Sequence, residues 1–79
     1  MYLKVLSPEK TLVSCQVQAV DLPGAAGRFM VLENHAPIIS SLTSGFVSWR
    51  AKEGDQMQHI QINSGFVQVR DNEITVCAE

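Results

Sequence analysis

Apolar and polar residues alternate along most of the chain. Leu3/Val5, Val13/Cys15/Val17/Ala19, Val47/Trp49/Ala51, Ile60/Ile62, Val67/Val69 and Ile74/Val76/Ala78 each put apolar side chains at every second position. Successive side chains of a strand point to opposite faces, so period two predicts strands with one buried face. No window repeats at i, i+3, i+4 and i+7 behind a capping residue, as a helix would require. The chain is predicted to be all-β.

Turn-forming residues separate these runs at Ser7-Pro8-Glu9, Pro23-Gly24, His35-Ala36-Pro37, Thr43-Ser44-Gly45, Glu53-Gly54-Asp55 and Asp71-Asn72. Each supplies either a fixed φ, a positive φ or a side chain that bonds its own backbone. Asp71-Asn72 predicts a two-residue hairpin pairing Val67-Val69-Arg70 antiparallel with Ile74-Val76. Many short strands at this spacing predict a sandwich or barrel. Between Thr11 and Leu22 the alternation changes phase: Val13, Cys15, Val17 and Ala19 share one face, and Val20 and Leu22 take the other. A bulge or a bend that carries the strand from one sheet to the other is expected there. An internal echo also occurs, Ser44-Gly45-Phe46-Val47-Ser48-Trp49-Arg50 against Ser64-Gly65-Phe66-Val67-Gln68-Val69-Arg70. It predicts Val47, Trp49, Val67 and Val69 pointing inward and Phe46 and Phe66 outward.

Seventy-nine residues make one small domain, 1–79, with little scaffold for an active-site cleft. An interaction module or a subunit of something larger is the expectation. The net charge is −2, and the six Lys and Arg residues are scattered, which argues against nucleic acid. With 46% hydrophobic and 18% charged residues the chain is too apolar for disorder. No apolar run approaches the roughly 20 residues of a membrane span. Met1 leads into Tyr2-Leu3-Lys4 without a basic segment or cleavage site, so an intracellular protein with free Cys15 and Cys77 is expected.

Candidate chemistry is sparse. His35 could serve as a base or a metal ligand, but His59, Cys15 and Cys77 stand at no metal-binding spacing. Ser14, Ser40, Ser41 and Asp21 lack a nucleophile elbow, and Gly24-Ala25-Ala26-Gly27 is followed by neither the Lys nor the Ser/Thr of a phosphate loop. Trp49, in phase with Val47, is expected in the core. No catalytic residue, cofactor or metal is expected.

The most specific stretch is Gly27-Arg28-Phe29-Met30-Val31-Leu32-Glu33-Asn34-His35-Ala36-Pro37, continuing through Leu42 to Gly45. It resembles the G-x-x-x-V-L, H-A-P and L-x-x-G pattern of the ATP synthase epsilon subunit family. Leu3-Lys4-Val5-Leu6-Ser7-Pro8-Glu9 is similar to that family's first strand and turn, and Ser64 to Val76 to its closing hairpin. Glu33-Asn34 replaces the family's usual Pro-Gly or Pro-Asn. Met30 and Cys15 stand where glycine is common, and Arg28 where a carboxylate is common.

The resemblance implies a flattened sandwich of about ten short, mostly antiparallel strands at the foot of the central stalk. It implies a non-catalytic rotor subunit of a proton- or sodium-driven ATP synthase that couples the gamma subunit to the c-ring. Ser7, Arg28, Phe29 and Met30 would face the ring, with either Phe29 or Met30 turned into the core, and His35, Ala36 and Pro37 would lie toward gamma. The implied location is the cytoplasmic face of a bacterial inner membrane, with membrane association through the complex alone. The family continues past the position of Glu79 into an antiparallel helical pair, absent here, so no inhibitory helices are expected. The alternative is a free-standing sandwich that binds a peptide or small ligand through Phe46 and Phe66.

Overall fold

In the computed structural model, which describes residues 1–79, the alternation becomes nine strands and no helix. They are β1 (Tyr2–Leu6), β2 (Thr11–Gln16), β3 (Ala19–Leu22), β4 (Phe29–Leu32), β5 (Ile38–Leu42), β6 (Gly45–Arg50), β7 (Gln58–Ile62), β8 (Gly65–Arg70) and β9 (Glu73–Ala78). Two sheets face each other, one in the order β2-β1-β9-β8-β5 and one in the order β4-β3-β6-β7. All pairings are antiparallel except β1 with β9. Against the ten strands implied by the resemblance, the only further ladder contact is a single bridge from Gly24 to Leu42. Pro23, with no N–H to donate, precedes it and ends β3.

The phase change between Thr11 and Leu22 is a sheet crossing: β2 belongs to the five-stranded sheet and β3 to the other. The segment from β5 to β8 uses the same device twice. β5 pairs with β8 (Ile38↔Val69 to Leu42↔Gly65) and β6 pairs with β7 (Gly45↔Ile62 to Trp49↔Gln58). Partner numbers sum to 107 in both ladders, so one long hairpin runs in a single register across both sheets. It bends at 43–44 and again at 63–64. The repeated Ser-Gly-Phe-Val motif is therefore the sequence of the two corners. Each Gly begins the new strand, each Phe faces outward and each Val inward.

Gly65 shows why a corner needs glycine. A Cβ there would collide with the Cys77 carbonyl oxygen of β9, the neighbouring strand on which Gly65 pairs with Ala78. Apart from the crossing at 17–18, the other end of the molecule uses ordinary turns. Asp71 (φ 52°) and Asn72 (φ 59°) both occupy the left-handed region, the two-residue turn whose twist matches that of the flanking strands. Arg70 then faces Glu73 across it, as the sequence predicts.

Leu3, Val5, Val20, Leu22, Val31, Val47, Val67, Val69, Ile74 and Val76 fill the space between the sheets and are almost fully buried. Each contributes about 1.5–3 kcal/mol by leaving water. Trp49 joins this core, as its phase requires. Ala51 does not: the chain leaves β6 after Arg50 into the 51–57 loop, and Ala51 is exposed.

Candidate functional site

Strand direction sorts the connections into two ends. The turn at 7–10, the loop at 23–28 and the bends at 43–44 and 63–64 lie at one end, here the corner end. The link at 17–18, the loops at 33–37 and 51–57 and the turn at 71–72 lie at the other, the loop end. Ser7, Arg28 and Phe29 thus share the corner end, and His35, Ala36 and Pro37 belong to the loop end. The long axis of the molecule is 28 Å.

At the corner end, Ser7 shapes its own turn. Its Oγ donates to the Lys10 carbonyl at 3.1 Å and accepts from the Lys10 N–H at 3.2 Å. Phe29 is the inward member of its pair and packs against the core, whereas Met30 is outward and exposed. The Gly27 carbonyl and the Phe29 ring together dictate Gly24, since an added Cβ would sit 2.5 Å from the first and 2.8 Å from the second. Arg28 reaches back across β3: its Nη2 lies 3.2 Å from Asp21 Oδ2 and donates to the Phe46 carbonyl at 2.9 Å. Asp21, weighed in the sequence only as a candidate for hydrolytic chemistry, is the partner of Arg28. Leu22 pairs with Phe29 and Asp21 with Met30, so Arg28 is a diagonal cross-strand neighbour of Asp21. Reading the 23–28 loop as a hairpin would have brought the two together.

At the loop end, the His35 Nδ1 is 2.7 Å from the Ala36 carbonyl oxygen. A carbonyl only accepts, so Nδ1 carries the proton in that contact and Nε2 is left for a partner. Asn34 adopts a positive φ of 62°, and its N–H donates to Asn72 Oδ1 at 2.9 Å, tying the 33–37 loop to the 71–72 turn. Pro37 stiffens the exit into β5. This assembly offers a shaped polar surface but no acid–base pair, and no three potential metal ligands come together.

Phe46 and Phe66 are both outward, but on opposite sheets, so they cannot line one ligand site. Phe46 meets His59 edge-on at 4.8 Å. Phe66, Cys77, Leu6 and Pro8 line an open apolar groove of roughly 540 Å³ at the corner end. Cys15 and Cys77 are free, each half-buried on its own strand. Burial pushes the Cys15 thiol up from its ordinary value, since the thiolate would lose solvation there.

Comparison with known proteins agrees with this geometry. Residues 1–79 match the family described as ATP synthase, Delta/Epsilon chain, beta-sandwich domain. The ATP synthase epsilon chain of Magnetococcus marinus is 43% identical over 77 residues, which is 98% of this chain and 55% of that relative. That of Nitratidesulfovibrio vulgaris is 37% identical over 79 residues, 100% of this chain and 58% of the relative. The chain therefore spans little more than half the length of these curated relatives. Two solved structures share the fold. A chain of the Tetrahymena thermophila mitochondrial ATP synthase central stalk and c-ring has a TM-score of 0.81 at 13% identity, covering 99% of this chain and 62% of that one. A chain of the Euglena gracilis mitochondrial ATP synthase has a TM-score of 0.85 at 20% identity, covering 96% and 48%. The matched residues, the two-sheet architecture and the identity to epsilon chains together place this chain in the ATP synthase delta/epsilon family, as its β-sandwich domain.

Proposed function

We propose that this domain is a non-catalytic coupling piece of the rotor, joining the gamma subunit to the c-ring of a proton- or sodium-driven ATP synthase. The observation that carries the proposal is the family match over the whole chain, read together with the two differently built ends of the sandwich. Ser7, Arg28, Phe29 and Met30, on or next to the corner end, form the ring side, and His35, Ala36 and Pro37 at the loop end form the gamma side. Adhesion is the whole mechanism. A stiff sandwich whose contacts lie far apart along its strands holds two partners in fixed relation, so torque passes through it without any bond being made or broken. It sits on the membrane surface only through the complex, at the cytoplasmic face of a bacterial inner membrane.

Affinity capture tests this reading. A tagged chain expressed beside gamma and the membrane sector should retain both, and the purified chain alone should hydrolyse no ATP. Recovery of neither partner would sink the assignment.

A further inference from the structure

We propose that Arg28 is a positioning residue of the ring-facing end, its charge already answered within the chain, so that this end suits a partner loop with no acid opposite Arg28. The inference rests on the rotor reading above and deepens it. A half-exposed arginine at a partner-facing surface at first sight demands an acid on that partner.

The geometry offers another solution. β3 stops at Leu22, and its last partner on β6 is Ser48, opposite Asp21. The Phe46 carbonyl lies beyond that last pair, where Pro23 has no N–H to offer. Arg28, the last residue of the 23–28 loop before the edge strand β4, supplies a donor to that carbonyl at 2.9 Å, reaching over β3. The same nitrogen meets the Asp21 carboxylate at 3.2 Å. Arg28 thus joins β4, β3 and β6 above the corner at Gly45, whose added Cβ would lie 3.7 Å from Arg28 Nη1. Both side chains stay partly open to water, 48% for Arg28 and 30% for Asp21, so the pair forms part of the surface that a partner meets. That surface presents a neutral couple beside the exposed Met30 and Phe46.

A charge swap separates a clamp from a partner contact. On the chain alone, Arg28→Asp and Asp21→Arg should each lower the thermal midpoint by about 2–6 °C, and the double swap should recover most of the loss. Association with a purified gamma and c-ring assembly is then measured at about 0.05 M and about 0.5 M salt, which brackets strong and weak screening. Arg28→Asp should weaken association, and the double swap should restore it to within about twofold of the wild type. Arg28→Gln, which removes the charge with the least disturbance, should leave the ratio of affinities at the two salts unchanged.

A double swap as weak as Arg28→Asp, or a salt dependence that Arg28→Gln abolishes, would show that Arg28 meets an acid on the partner. Absence of any recovery in the thermal cycle would equally overturn the clamp. If the wild-type chain retains neither partner, the rotor reading fails, and the thermal cycle still decides whether the clamp exists.

Discussion

The corner end and the loop end of the sandwich are closed by different physics. At the corner end a single hairpin folds across both sheets, and its bends at 43–44 and 63–64 leave no spare chain. Backbone presses on backbone, as Gly65 does on Cys77, and side chains such as Arg28 fill the gaps left in the ladders. At the loop end, apart from the sheet crossing at 17–18, the chain turns locally, through Asn34, Gly54, Asp71 and Asn72 in the left-handed region, and the Asn34 and Asn72 turns are tied by a single hydrogen bond. A change at Gly65 or Arg28 meets more than one strand, whereas a change at Gly54 stays within its own loop. A rotor contact that must not yield belongs at the first kind of surface. A contact fitted to one partner's shape can use the second.

Substitution should break this contrast open. The largest effect is expected from Gly65→Ala, since its Cβ meets a backbone carbonyl that cannot turn aside. Denaturant unfolding should show a loss of about 3 kcal/mol or more. At the loop end, Asn72→Ala removes both a residue tolerant of positive φ and the acceptor for the Asn34 N–H, a loss of about 1–3 kcal/mol in the same assay. Gly54→Ala, where φ is 86° and nothing lies within 4 Å of an added Cβ, should cost only about 1 kcal/mol. Equal losses for Gly65→Ala and Gly54→Ala would abolish the distinction between the ends.

The smallest effect is a pH dependence at Cys15. Burial raises the thiol in the folded chain, so above the ordinary value of a free thiol the unfolded chain gives up a proton that the folded chain keeps. The stabilisation is complete below that value and is lost as pH rises through the folded one. Cys15→Ala should flatten this alkaline fall in stability measured between neutral and alkaline pH.

Much of this fold was legible in the sequence because one face of most strands is buried. The phase slip before Val20 marked a sheet crossing, and Asp71-Asn72 marked a hairpin. Phe29–Leu32 carries four apolar residues in succession, so alternation could not say which face was which; burial shows Val31 inward with Phe29, and Met30 and Leu32 exposed. The echo at Ser44 and Ser64 was visible, but its meaning depends on a register that only the paired strands display. The link between Asp21 and Arg28 was hidden for a related reason, since a diagonal neighbour follows from the pairing across a loop and not from either residue alone. The residues of the two ends were reached through family resemblance. Periodicity carries no signal for adhesion.

Site-specific photo-cross-linking in the assembled enzyme tests the central claim most directly. A photoreactive residue at Met30 should capture a c-ring subunit, and one at His35 should capture gamma. Capture of the same partner from both positions, or of neither partner from either, would contradict the assignment of two ends to two partners.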